Sequence, residues 1–186
     1  MFTMRTAVFL ERDGILNLPG VEGAYQIAPR TFHELNLNRA AIAPLQELKA
    51  AGFALIVTTN QPGVSRGHTS RREIDLMHRL IERTFSLDDI FTCLHDDSDG
   101  CPCRKPKPGL FREAAHKWQI DLDHSFVLSD KWQDARAAQN AGCTSILIQS
   151  PWNGGGHHDF IVANFERAVA KVLQLQHQNT FSCLSA

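Results

Sequence analysis

The chain lacks a surplus of either charge. Its 19 Lys and Arg against 20 Asp and Glu leave a formal net charge of −1, whereas a nucleic-acid protein shows a basic excess or stripe. It also lacks a long apolar run, since none approaches the roughly 18 residues of a membrane span. The N-terminal MFTMRTAVFL has no signal-peptide layout, because its short apolar stretch leads straight into acids. These absences lead to the expectation of a cytoplasmic protein, a monomer with neither membrane nor nucleic-acid partner. Cysteine is scarce and odd in number, and five make a poor disulfide framework. No internal repeat and no linker interrupts the 186 residues, enough for one domain with a proper core. That domain is expected over 1–176, with 177–186 as a frayed tail.

What is present is an alternation of short apolar runs with helical patterns. AVFL (Ala7–Leu10) reads as a first buried strand, Ala54–Thr58 as a second, Ile90–Cys93, Ser125–Leu128 and Thr144–Ile148 as three more. Helical spacing is found over Arg39–Ala51, with Pro44 early and Gly52 just past the end. Ser70 followed by Glu73 forms a capping-box pattern ahead of Ile74, Met77, Leu80 and Ile81. Gly109–Trp118, Gln133–Ala141 and Phe160–Leu175 complete the expected helices, the last preceded by a Gly-rich loop at Asn153–Gly156. Strands alternating with helices predict an α/β fold with a doubly wound, Rossmann-like parallel sheet covered on both faces.

In such sheets ligands bind at the carboxyl ends of the strands, so the residues just after each strand carry the information. Glu11 and Asp13 follow the first, Thr58 to Gln61 the second, and Asp130, Lys131 and Asp134 the fourth. Arg104, Lys105 and Lys107 lie between the third strand and the next helix. Solvated charge has no reason to sort itself onto one edge in this way. Three carboxylates make a hard oxygen site suited to Mg²⁺, while Thr, Asn and Lys can hold phosphate oxygens. A carboxylate there can attack phosphorus to form an acyl-phosphate. A second acid two residues on can protonate the leaving oxygen and then activate water.

At this point the segments FLERDGILN, VTTNQPGVSRG, CRKPKPG and LSDKWQDARAAQNAG resemble the four motifs of the haloacid dehalogenase (HAD) phosphatase superfamily. More narrowly they resemble its cap-less branch of heptose bisphosphate and histidinol-phosphate phosphatases, from about residue 6 to residue 149. The resemblance implies no large cap domain, Mg²⁺ as cofactor and a small sugar phosphate as substrate, with histidinol phosphate as the alternative. It implies position 11 as nucleophile and Mg²⁺ ligand, and Asp13 as general acid/base that also offers its backbone carbonyl to the metal. Thr59 and Asn60 would bind the transferring phosphate, Lys105 balance its charge, Asp130 ligate Mg²⁺ and Asp134 support it. Arg104 and Lys131 would grip the rest of the substrate, with Arg66 a further candidate.

A second cluster, C-L-H-x5-C-P-C, presents Cys93, His95, Cys101 and Cys103. Three thiolates and an imidazole suit tetrahedral Zn²⁺ with no open position, hence a structural zinc-clipped loop; the branch carries the same clip. It would position Arg104 and Lys105, which follow directly. Cys143 reads as a small core residue, and Cys183 in the tail carries no reading. His157 and His158 fit a solvated loop better than a metal. His33, His68, His78, His116, His124 and His177 show no partner pattern.

The resemblance breaks at position 11, where the family has aspartate and this chain has glutamate. The charge survives but the reach grows by one methylene, and a misplacement of about 1 Å can cost on the order of 10²-fold in rate. Ser129 stands where the family has glycine. Three explanations of Glu11 stay open: a slow natural variant, a non-catalytic phosphosugar-binding pseudo-phosphatase, or an introduced disabling change. With the rest of the site intact, a phosphatase of reduced or altered activity is the reading favoured. A zinc-dependent interaction module would leave the four motifs idle.

Overall fold

Four consecutive apolar residues form the central strand β1 (Ala7–Leu10), and all four are fully buried. A parallel strand covered on both faces needs no polar alternation. Val8 and Leu10 enter one half of the core, Ala7 and Phe9 the other, as the two-residue side-chain period requires. The computed structural model describes residues 4–23 and 25–184.

A small antiparallel hairpin follows, β2 (Gly20–Glu22) and β3 (Tyr25–Ile27). The main sheet continues with β4 (Ala54–Asn60), β5 (Asp89–Cys93), β6 (Phe126–Ser129), β7 (Thr144–Ile148) and β8 (Phe160–Val162). Its order is β5-β4-β1-β6-β7-β8, with every pairing parallel. The chain therefore leaves β1 toward one edge and returns past it to build the other. The order reverses at β1, and a crevice opens at such a point beyond the carboxyl ends of the strands.

Helices α1 (Ile42–Ala50), α2 (Arg71–Phe85) and α5 (Phe165–Leu184) cover one face. Leu45, Leu48, Ile81, Phe85, Val169 and Val172 meet Val8, Leu10, Leu55 and Val57 there. Helices α3 (Gly109–Trp118) and α4 (Trp132–Ala141) cover the other through Leu110, Phe111, Ala114, Ala137 and Ala138. Phe9 and Phe111 meet edge to face with ring centroids 5.0 Å apart; burying a side chain of this size contributes about 1.5–3 kcal/mol. Cys143 lies in this half of the core, and burial pushes its thiol up to about 12.

The capping box at α2 is half made. Ser70 Oγ accepts from the Glu73 N–H at 3.1 Å, but the Glu73 carboxylate accepts from the Phe32 N–H at 2.5 Å. The helix start thereby anchors the loop that follows the hairpin.

Several expected boundaries move. The helix read over Arg39–Ala51 begins with a 3₁₀ turn at Arg39–Ala41 and is α-helical from Ile42. The strand read to Thr58 runs on to Asn60, while Ser125 precedes β6. Phe160–Val162 is an edge strand paired with β7, not the start of the last helix. Asn164 is the actual start signal, its side chain accepting from the Arg167 N–H at 3.0 Å. The last helix also continues through 177–184, the stretch expected to fray; residues 185–186 lie outside those described.

Candidate active site at the carboxyl edge

Glu11 and Asp13 leave the end of β1 into a tight turn. The turn closes through the Gly14 N–H on the Asn17 carbonyl, at 2.9 Å. Gly14 has φ +100°, and a Cβ there would lie 2.4–2.8 Å from the Asp130 carboxylate. Only glycine lets the two strand ends approach this closely.

Glu11 is buried, and four donors converge on its carboxylate. Thr59 Oγ1 donates to Oε1 at 2.6 Å, as do the Arg12 N–H at 2.7 Å and the Asp13 N–H at 3.4 Å. Lys105 Nζ donates to Oε2 at 2.5 Å. Burial alone would push the carboxyl up, but Lys105 and then Lys131 outweigh it and hold it below the usual range. Lys105 is itself buried; it also donates to the Thr58 carbonyl at 2.7 Å and to Asp134 Oδ1. Despite its burial, Asp134 and Glu11 keep its ammonium charged. Asp134, enclosed in α4, is pushed up to about 6 by burial.

Asp13 is gripped from behind by the fully buried Arg12. Nε and Nη2 of Arg12 donate to its two oxygens at 3.0 and 3.1 Å. Gln61 Nε2 donates to Asp13 Oδ2 at 2.7 Å and to Thr59 Oγ1 at 2.9 Å, while Gln61 Oε1 accepts from Arg12 at 2.8 Å. Arg12 and Lys131 override burial and hold Asp13 ionised. His78, on α2, meets Arg12 Nη1 at 3.3 Å; burial and then Arg12 bring its imidazole down to about 4.

Asp130 ends β6 opposite this pair. Ser150 Oγ and Asn153 Nδ2 donate to its backbone carbonyl at 2.6 and 3.0 Å, and Gln26 of β3 donates to Oδ2 at 2.6 Å. Asp130 Oδ1 and Asp134 Oδ2 are buried without a hydrogen bond. Lys131 Nζ donates to the Asp13 carbonyl and stands 3.3 Å from Asp130 Oδ1, so a cation is already drawn to these oxygens. An all-oxygen set with orphaned lone pairs fits Mg²⁺.

A cavity of about 580 Å³ opens over the site. Glu11, Asp13, Asn60, Arg66, Arg104, Lys105, Lys131 and Asp134 all line it. Asn60, however, commits its side chain to the scaffold: Nδ2 donates to the Lys105 carbonyl at 3.0 Å, and Oδ1 accepts from the Lys105 N–H at 3.1 Å. The two arginines at the rim are also engaged. Arg104 donates to both Asp97 oxygens at 2.7 and 3.1 Å, and Arg66 to both Asp96 oxygens, through Nε at 2.8 Å and through Nη2.

Cys93, at the end of β5, gathers His95, Cys101 and Cys103 around one point. The three sulfurs lie 3.4–3.7 Å from one another, and His95 Nδ1 is 3.3–3.6 Å from Cys103 and Cys93. Zn–S bonds of about 2.3 Å set tetrahedral S···S edges slightly under 4 Å, so the cluster is compatible with zinc. His157 and His158 make contacts with Asp159 at 3.5 Å and the Gly156 carbonyl at 3.2 Å, in the exposed loop.

Sequence reasoning missed Gln26, Arg30, Gln61, His78 and Asn153. A Gly between Glu22 and Ala24 signals the hairpin that delivers Gln26. The partners of His78 and Asn153 are 66 and 23 residues away, and no local pattern announces them.

Comparison with known proteins sets first the class. Residues 102–162 match the family model of HAD-hydrolase-like proteins. The D-glycero-beta-D-manno-heptose-1,7-bisphosphate 7-phosphatase of Helicobacter pylori (strain J99) is 33% identical over 81% of this chain and 88% of its own length. The enzyme of the same name from Escherichia coli K12 is 32% identical over 77% of this chain and 79% of its own. The crystal structure of D,D-heptose 1,7-bisphosphate phosphatase from B. bronchiseptica, complexed with magnesium and phosphate, superposes with a TM-score of 0.79. It is 27% identical and is matched over 91% of this chain and 98% of that one. The chain belongs to the HAD-like hydrolases, in the family of the heptose-1,7-bisphosphate 7-phosphatases.

Proposed function

We propose that this chain is a Mg²⁺-dependent phosphomonoester hydrolase of a sugar bisphosphate, D-glycero-D-manno-heptose 1,7-bisphosphate, releasing the 7-phosphate slowly because Glu11 stands in the nucleophile's place. The observation that carries the reading is the convergence of Glu11, Asp13, Lys105, Asp130 and Asp134 on one buried point at the mouth of the cavity.

A Glu11 oxygen would attack phosphorus as the sugar oxygen leaves, giving an acyl-phosphate. Asp13 would hand its proton to the leaving oxygen and then take one from the water that cleaves the acyl-phosphate. Arg12 and Gln61 fix that carboxylate in place. A phosphate dianion arriving beside it raises its proton affinity, which the acid step needs. Lys105 balances the charge developing on the transferring oxygens. Asp130, a Glu11 oxygen and the Asp13 carbonyl would hold Mg²⁺, which supplies Lewis-acid stabilisation of the phosphoryl oxygens.

Phosphate release from the heptose bisphosphate in Mg²⁺, measured for the chain beside its Glu11→Asp variant, tests this. The aspartate form is expected to turn over on the order of 10²-fold faster. No release from either form would end the heptose assignment and make histidinol phosphate the next substrate.

A further inference from the structure

We infer that the Glu11 carboxylate occupies the seat of the transferring phosphoryl group, so that this chain takes as its preferred ligand a sugar monophosphate whose inner end is a free hydroxyl. The inference rests on the function just proposed and concerns what that site holds.

A donor inventory carries it. An ammonium has three N–H bonds, and Lys105 directs all three inward, to Glu11, Asp134 and the Thr58 carbonyl. Thr59 gives its single hydroxyl proton to Glu11. Gln61 gives its amide to Asp13 and Thr59, and its backbone N–H to the Cys93 carbonyl at 2.7 Å. The side-chain amide of Asn60 is closed on Lys105. The Arg12 and Asp13 N–H groups point at Glu11 Oε1. Every one of these donors is already engaged, and four of them by one carboxylate.

The extra methylene makes this possible. It carries the carboxylate about one C–C bond, roughly 1.5 Å, beyond the reach of an aspartate. There it gathers a hydroxyl, two backbone amides and an ammonium, the donor set that holds a phosphoryl oxygen cluster. A phosphate entering the same place would face a buried anion and find no free donor, and an unpaired buried charge is strongly disfavoured.

The rest of the cavity is unaffected. Arg30 reaches its wall, and among the described residues its side chain has no hydrogen-bond or ion-pair partner. Lys131 and Gln133 line the same space. A sugar with a remote phosphate meets cationic and amide groups there, while its other end needs only a hydroxyl against Glu11.

Titration calorimetry with inorganic phosphate in Mg²⁺ buffer tests the seat without reference to any sugar. Glu11→Ala is expected to bind phosphate at least tenfold more tightly than the unaltered chain; equal affinity would overturn the inference, as would failure of a folded Glu11→Ala to bind. Should the alanine form not fold, Glu11→Gln keeps the volume, removes the charge, and is expected to bind phosphate more tightly too. The ligand class is read with heptose 1-phosphate against heptose 1,7-bisphosphate. The unaltered chain is expected to favour the monophosphate and Glu11→Ala the bisphosphate, and a preference of the unaltered chain for the bisphosphate sinks the proposal. Binding of neither sugar by any form, with the phosphate result as expected, removes the heptose reading and leaves the occupied seat standing.

Discussion

His78 shows how one residue sets the working range of the site. It is held neutral behind Arg12, with its imidazole near 4 against about 6.5 in an unfolded chain. The unfolded state therefore binds more protons between those values, and stability falls as pH falls through that window. The loss amounts to about 3 kcal/mol at most for a shift of this size. Urea unfolding at pH 7 and pH 4.5 is expected to show the unaltered chain losing more stability on acidification than His78→Gln. An equal loss in both would mean that the carboxylates alone set the acid limit. Asp13 is the residue that this arrangement protects, because Arg12 can grip it only while His78 does not add a second positive charge at 3.3 Å.

Among the elements, the zinc-compatible loop separates what the residues reveal from what only folding reveals. Cys93, His95, Cys101 and Cys103 were legible because their ligands lie within eleven residues of sequence and their chemistry is narrow. Chelation is expected to raise amide exchange over residues 94–104 while leaving β1, β4 and β6 protected; unchanged exchange in the loop would show that its Asp96 and Asp97 ion pairs suffice to hold it. The acids and lysines at the strand ends were legible for a related reason: apolar runs such as AVFL stop abruptly where they begin. The hairpin at Gly20–Ile27 was overlooked because its strands are three residues each and exposed, so no apolar pattern marks them. Phe160–Val162 was misread as helix because a three-residue edge strand and a first helical turn look alike in composition. The roles of Arg66 and Arg104 were drawn from their charge, and sequence gave no sign that Asp96 and Asp97 would turn them along the rim.

Across the whole molecule, stability is expected to fall from the centre of the sheet outward. β1 is flanked by β4 and β6, with helices on both faces, whereas β8 is a short outer strand and the β2–β3 hairpin stands apart from the sheet. Native-state hydrogen exchange should find the slowest amides in β1, β4 and β6 and the fastest among these strands in β2 and β3. The opposite order would place the rigid part of the molecule away from its chemistry. With the order as expected, Glu11, Thr59 and Asp130 stand on the most rigid part of the structure, while Gln26 and Arg30 stand on one of the softest.

The reciprocal pair of bonds between Asn60 and the Lys105 backbone has a consequence for how such a molecule can diversify. Lys105 is held from the sheet side, independently of the chain that leads to it. The segment from Asp96 to Gly100 can therefore change in length or composition as an exchangeable cassette. Each exchange would redirect the rim arginines, and with them the choice of ligand, while the buried lysine keeps its place.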